Sequence, residues 1–161
     1  MIKKTDLSDY NPDNIPNGTP YRIAIAVAEW NPEVTEALLK GAYQTLISHN
    51  TLPENITIVH VPGSFELPTA ADHLLKTHHA VICLGCVIQG ETRHFDFICE
   101  AVANGLINVS IKHSRPAIFG VLTTNTTQQA LNRAGGKHGN KGIEAAVAAL
   151  KMVSLTSPST E

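Results

Sequence analysis

The chain has 161 residues and a mass of 17.3 kDa, and 43% of its residues are hydrophobic while 16% are charged. This apolar content suits one packed domain and excludes a globally disordered protein. The net charge of -2 leaves no basic excess to bind a nucleic-acid backbone. No apolar run approaches the roughly 20 residues of a membrane span, and the first twenty residues lack the pattern of a signal peptide. We therefore expect a cytoplasmic enzyme with neither a nucleic-acid nor a membrane partner.

The first half of the chain alternates apolar and amphipathic segments after a polar, proline-rich arm at residues 1–20. Short β-branched runs predict buried strands at 21–28 and 56–61. Asn31 followed by Pro32 predicts the start of a helix that runs to about residue 49. A second helix is expected at 65–76, after the break at Pro62-Gly63-Ser64.

The second half repeats this alternation. Strands are predicted at 80–88 and 116–123, with a long helix at about 93–113 between them. Asn125 and Gln128 resemble a capping box for a short helix. A glycine-rich loop at 135–142 and a last helix follow, and the predicted domain covers 21–155 with a polar tail at 156–161.

Four strands, each followed by a helix, predict an α/β protein with a four-stranded parallel sheet between two helical layers. The ligands of such sheets bind beyond the carboxyl ends of the strands. The candidate site therefore consists of the segments that directly follow the four strands, which are 29–31, 62–66, 89–94 and 123–125.

An anion site is predicted at Gly90-Glu91-Thr92, between a strand and a helix. Backbone N–H groups, a hydroxyl and the helix dipole favour a phosphate there, although an ordinary turn has the same pattern. The segment is neither a Walker loop nor a dinucleotide fingerprint, so it implies no nucleotide. His94 follows, either as a group that transfers protons or as a surface histidine.

Other candidates also allow two interpretations. Trp30 either stacks on a flat heterocycle or belongs to the core. Arg133 and Lys141, which flank the glycine-rich loop, either contact a phosphate or balance a helix dipole. Cys83 and Cys86 form a CxxC, but residues three apart on a strand point to opposite faces, so we expect no metal site. The adjacent histidines His78 and His79 predict a solvated turn rather than a pair of metal ligands.

Five segments together resemble the lumazine synthase family. They are WN, GSFELP, GCVIQGETRHFDF, FGVLTTNT and NRAGGKHGNKG, and they occur in order from about residue 21 to 153. The resemblance implies a flavodoxin-like fold and an enzyme of riboflavin biosynthesis without a cofactor. Members of this family condense 5-amino-6-ribitylaminouracil with 3,4-dihydroxy-2-butanone 4-phosphate to 6,7-dimethyl-8-ribityllumazine, releasing phosphate and water.

The resemblance also implies roles for individual residues. His94 matches the proton-transfer histidine, and Glu144 matches an acidic residue that orients or charge-stabilises it. Gly90, Glu91 and Thr92 match the loop that binds the phosphate, with Arg133 as its cationic partner. The residues expected to bind the pyrimidine and its ribityl chain are Trp30, Asn31, Ser64, Phe65, Glu66, Cys86, Val87, Ile88, Phe119 and Lys141.

The family's pockets lie between neighbouring subunits of a pentamer, so the resemblance implies a homo-oligomer. Phe119, Arg133 and Lys141 are expected from one subunit, and the residues up to His94 from the other. The glycine-rich loop resembles that of members that close into a 60-subunit shell, whereas the proline-rich arm resembles members that remain pentamers. Riboflavin synthase is a candidate partner. A flavin-binding storage protein and a purely structural shell are the alternative functions.

Overall fold

The protein contains a four-stranded parallel sheet with the strand order β2-β1-β3-β4. The description rests on a computed structural model and covers residues 5–157, so the ends of the predicted arm and tail lie outside it. The strands are β1 (Ile23–Ala28), β2 (Ile56–Val61), β3 (Ala80–Ile88) and β4 (Ala117–Thr124). The predicted fold class is confirmed, and all six residues of β1 are fully buried because helices cover both faces of the sheet.

Within residues 5–157, five α-helices connect and cover these strands. They are α1 (Pro32–Ser48), α2 (Leu67–Leu74), α3 (His94–His113), α4 (Thr127–Asn132) and α5 (Lys141–Thr156). Alternate residues of β1 face opposite sides of the sheet, so each side has its own apolar core. Ile23, Ile25 and Val27 pack with α1 and α5, whereas Ala24 and Ala26 pack with α2 and α3.

The two cysteines of the CxxC sequence confirm this alternation. Cys83 packs in the core under α2 and α3, whereas Cys86 packs in the core under α1 and α5. Burial raises the pKa of the Cys83 thiol to about 12 and that of the Cys86 thiol to about 11. Both thiols are therefore protonated at neutral pH and act as small apolar side chains rather than nucleophiles.

Two predicted helix starts are wrong. Residues 64–66 form a turn of 3-10 helix, so α2 begins at Leu67 instead of residue 65. The capping box of α4 lies one residue later than predicted, because Thr126 Oγ1 accepts from the N–H of Gln129 at 3.1 Å. The Gln129 side chain in turn accepts from the N–H of Asn125 at 2.8 Å. Asn31 is the N-cap residue of α1 and Pro32 its first residue, as predicted, but the Asn31 side chain makes no capping hydrogen bond.

The glycine-rich segment is more ordered than the predicted loop. It forms an antiparallel hairpin of β5 (Ala134–Gly136) and β6 (Gly139–Asn140), and α5 begins directly after it. Gly139 has a φ of 88°, which favours glycine. At Gly142 a Cβ atom would come within 1.9 Å of the Leu38 carbonyl oxygen, so only glycine lets α5 approach α1 this closely.

The described part of the arm, residues 5–20, packs on the body of its own chain. Its only helical structure is a 3-10 turn at Pro12–Asn14. The Tyr10 hydroxyl lies 2.9 Å from His49 Nε2, and the Gly18 N–H donates to the His49 carbonyl at 2.7 Å. The predicted division into an arm, one domain and a tail stays a prediction.

The expectation of a solvated turn at 78–79 is wrong for His78, which is buried. Its Nε2 atom lies 2.9 Å from Thr57 Oγ1, and its Nδ1 atom lies 3.0 Å from the Leu74 carbonyl oxygen. Desolvation lowers the pKa of this imidazole, so it is uncharged at neutral pH. Its two contacts join α2 to β2. Within residues 5–157, no helix has the length and hydropathy of a membrane span.

Candidate active site

An open cleft of about 660 Å³ lies beyond the carboxyl ends of β1, β2 and β3. The chain leaves β1 toward β2 on one side and later returns to β3 on the other, so this is the topological switch point where α/β sheets bind ligands. The cleft is lined by Trp30, Asn31, Gly63, Ser64, Phe65, Glu66, Cys86, Val87, Ile88, His94 and Ile98.

The wall between β1 and β3 depends on Asn31. This residue has a left-handed backbone with a φ of 59°, and its side chain makes no cap for α1. Its Nδ2 instead donates to the Cys86 carbonyl oxygen at 3.0 Å, while its own carbonyl accepts from the N–H groups of Val34 and Thr35. Asn31 thus turns the chain into α1 and joins the ends of β1 and β3 at the cleft.

Two aromatic side chains stand at the mouth of the cleft. Trp30 is 72% exposed and Phe65 is 58% exposed, which decides against a core position for Trp30. The Trp30 ring and the Glu66 carboxylate lie close together, because a Cβ atom on Gly63 would be 3.2 Å from an atom of each. The mouth therefore offers flat apolar surfaces beside an acceptor for hydroxyl groups.

Ser64 supplies a polar atom without a protein partner. Its side chain is buried in the cleft wall, and its Oγ makes no hydrogen bond within the described residues. It packs so closely on β3 that a Cβ atom on Gly85 would lie 2.4 Å from this oxygen. A buried hydroxyl without a partner costs free energy, which a bound ligand with a polar group would recover.

The predicted phosphate loop adjoins the cleft at the N-terminus of α3. Gly90, Glu91 and Thr92 are exposed, and a Cβ atom on Gly90 would meet no atom within 4 Å. His94 is the first residue of α3, and its N–H donates to Thr92 Oγ1 at 3.4 Å. Free space and the positive end of a helix dipole suit an anion here. His94 lines the cleft and the loop residues do not.

The remaining predicted residues lie away from this cleft. Arg133 Nη2 donates to Glu144 Oε2 at 2.5 Å, and Lys141 Nζ lies 3.6 Å from Glu144 Oε1. These three residues border the hairpin and α5, which packs on the opposite face of the sheet from α3. Phe119 lies on the edge strand β4 and is 36% exposed. One chain therefore does not bring Glu144 to His94 or Arg133 to the phosphate loop.

One residue of the cleft wall, Ile98, is not among those that the sequence predicts for the site. It lies on α3 one helical turn after His94, and that spacing was the available signal. Gly63 lines the cleft within the predicted segment 62–66.

Comparison with known proteins decides the family. The family model described as 6,7-dimethyl-8-ribityllumazine synthase matches residues 20–157. The chain belongs to this lumazine synthase family. A relative of that name from Porphyromonas gingivalis is 53% identical over 152 residues, which cover 93% of this chain and 94% of the relative. Others of the same name, from Cytophaga hutchinsonii and Parabacteroides distasonis, are 55% and 49% identical over 94% of this chain and 96% of each relative.

The two contributions of Asn31 can be separated by substitution. Asn31→Gly keeps the left-handed backbone and loses the bond to Cys86, whereas Asn31→Ala loses the bond and also strains the backbone. We expect both variants to be less stable than the unsubstituted protein, and the free energy of unfolding of Asn31→Ala to be about 1 kcal/mol below that of Asn31→Gly. Chemical denaturation measures this difference. Alanine equal to or better than glycine would refute the assigned backbone role.

Proposed function

We propose that this chain condenses 5-amino-6-ribitylaminouracil with 3,4-dihydroxy-2-butanone 4-phosphate to form 6,7-dimethyl-8-ribityllumazine. Phosphate and water are released, and the enzyme is a transferase of the penultimate step of riboflavin biosynthesis. The observation that carries this proposal is that residues of a lumazine synthase sequence meet in one cleft at the switch point of the sheet. We also propose a cytoplasmic location.

The cleft of one chain binds the pyrimidine substrate. Trp30 stacks on the pyrimidine ring with Asn31 beside it, and backbone groups of residues 86–88 read the ring edge. Ser64, Phe65 and Glu66 hold the ribityl chain. The exposure of Trp30, the unpaired Ser64 hydroxyl and the Glu66 carboxylate beside the tryptophan ring support this arrangement.

The butanone phosphate binds next to it, at the N-terminus of α3. Backbone N–H groups of Gly90 and Glu91, with the Thr92 hydroxyl, hold the phosphate, and the Glu91 side chain points away from the dianion. Arg133 is the cation that completes the site, since its planar guanidinium suits two phosphate oxygens at once. The open space at Gly90 supports this placement.

The reaction needs several proton transfers but no covalent attachment to the protein. The substrate's own amine adds to the ketone, and the adduct loses water. Phosphate is then eliminated, and the ring closes on the second carbonyl with loss of another water. His94 moves protons at these steps, oriented or charge-stabilised by Glu144. Most of the acceleration comes from holding the two reactants in register.

A complete site requires two neighbouring chains. Phe119, Arg133, Lys141 and Glu144 line no part of the cleft of their own chain, and we propose that a neighbour supplies them. Three exposed apolar residues of α3 support close packing of subunits: Phe97 is 64% exposed, Ile107 is 55% exposed and Ile111 is 70% exposed. The assembly is a pentamer, which closes further into a 60-subunit shell, with riboflavin synthase as a candidate partner.

A steady-state assay with both substrates tests the reaction. We expect lumazine and phosphate to appear in equal amounts and faster than the uncatalysed background. His94→Ala should lower kcat about 100-fold and still leave turnover above that background, because positioning remains intact. His73→Ala, which alters an exposed histidine on α2, is the matched control and should be unchanged. No lumazine from the unsubstituted enzyme would refute the proposed function, and complete loss in a folded, assembled His94→Ala would refute this division of labour.

The assembly is tested separately by analytical ultracentrifugation of the full chain over a range of concentrations. We expect a dominant species far larger than a pentamer, since the short hairpin segment resembles that of shell-forming members. A species of pentamer size at every concentration would refute the shell and leave the shared active site intact.

A further inference from the structure

The N-terminal arm contacts the hairpin of β5 and β6, which begins directly after Arg133. His138 Nδ1 lies 3.1 Å from the Thr5 carbonyl oxygen, and the Leu7 N–H donates to the His138 carbonyl at 3.2 Å. At Gly139 a Cβ atom would come within 2.4 Å of both an Asp6 carboxylate oxygen and Ser8 Oγ. Residues 5–8 therefore pack directly against the turn between β5 and β6.

The arm contacts both acceptors of the Arg133 guanidinium. The His138 carbonyl oxygen accepts from the Leu7 N–H and from Arg133 Nη1, the latter at 2.6 Å. Glu144 Oε2 accepts from Arg133 Nη2 at 2.5 Å and lies 3.3 Å from Ser8 Oγ. The same segment thus contacts both groups that fix the direction of the guanidinium.

Ser8 is the central residue of this contact. It is 7% exposed, and its Oγ accepts from the Asn140 N–H at 2.5 Å and donates to the Asn140 carbonyl at 2.8 Å. Asn140 caps α5 by accepting from the Gly142 N–H at 2.8 Å, and its Nδ2 donates to the Ala37 carbonyl. Glu144 lies in the first turn of that helix. Ser8 therefore fixes the N-terminus of α5, and the Glu144 side chain extends toward Arg133 from the first turn of that helix.

This arrangement matters for phosphate binding because Arg133 is already paired. A guanidinium has five N–H donors in one plane, and the bonds to His138 and Glu144 use one N–H of each of its two terminal nitrogens. The donors that remain can face a phosphate only if both acceptors stay in place. A small rotation of the carboxylate or the carbonyl would turn the plane, and a bidentate contact depends on direction.

We propose that Ser8 is a positioning residue for the phosphate-binding Arg133, and that the arm is part of the active site's support. This inference rests on the proposed function, in which Arg133 binds the butanone phosphate. Ser8 touches no substrate. It acts through Asn140 and Glu144 to hold the guanidinium in the orientation that a phosphate requires.

Steady-state kinetics of three variants of the full chain test this role. Ser8→Ala removes the hydroxyl, and Asp6→Ala removes the carboxylate that accepts from the Ser8 N–H at 2.8 Å without altering the buried side chain. Ser110→Ala is the matched control, because Ser110 Oγ also donates to a backbone carbonyl and accepts from a backbone N–H, at the far end of α3. Inorganic phosphate serves as a competitive probe of the anion site.

We expect Ser8→Ala to raise KM for the butanone phosphate and the inhibition constant of inorganic phosphate about five-fold, equivalent to one hydrogen bond. KM for the pyrimidine should change less than about two-fold, and Asp6→Ala should shift the same constants by a smaller factor. Ser110→Ala should lower the melting temperature and leave both Michaelis constants unchanged.

Two results would overturn the proposal. If Ser8→Ala lowers the melting temperature as Ser110→Ala does but leaves the phosphate constants unchanged, Ser8 only stabilises the fold. Arg133→Ala separates this failure from failure of the proposed function. An unchanged KM for the butanone phosphate in Arg133→Ala removes Arg133 from the phosphate site, and the role of Ser8 fails with it. If Arg133→Ala raises KM for the butanone phosphate, Arg133 remains assigned to the phosphate site, and the kinetics of Ser8→Ala then decide the role of Ser8.

Discussion

The parallel register of the four strands is the constraint on which the rest of the structure depends. Residues 23–28 of β1 pair with 56–61 on one side, and residues 23–27 pair with 80–84 on the other, so the carboxyl ends of the strands lie at one edge of the sheet. The burial of β1 on both faces fixes that register, since a shift by one residue would exchange its two cores. The cleft lies at this edge, lined by residues at or after the ends of β1, β2 and β3. Asn31 joins the ends of β1 and β3 there.

The same sheet divides the proposed site into two halves. The cleft, with Trp30 and His94, adjoins α3 on one face, while Arg133 and Glu144 belong to the helices and hairpin of the other. Arg133 and Glu144 line no part of the cleft of their own chain, and this is why we propose that a neighbouring chain supplies them. The exposed apolar side chains of α3 are consistent with assembly as the way in which the halves meet.

Much of the fold and of the cleft follows from the sequence, because strand segments were apolar and residues that follow parallel strands must share one edge. Trp30, Asn31, Ser64 and His94 meet in one cleft as the sequence predicts. The left-handed backbone of Asn31 and its bond to Cys86 could not be predicted, because they depend on a strand distant in the chain. The hairpin at 134–140 and the buried Ser8 were missed for the same reason, since their partners are long-range contacts without a local pattern. The role of Glu144 came only from the family resemblance, which also favoured phosphate binding over dipole compensation for Arg133.

The central claim is that the active site consists of residues from two chains, and mixed assemblies test it most directly. One variant combines Trp30→Ala with His94→Ala, and the other carries Arg133→Glu, so each damages one half of the site. If the halves come from neighbouring subunits, random assembly of an equal mixture brings two undamaged halves together at about a quarter of the interfaces. The mixture then recovers about a quarter of the activity of the unsubstituted enzyme. If the site lies within one chain, every site in the mixture carries one damaged half, and the activity stays at the mean of the two separate variants.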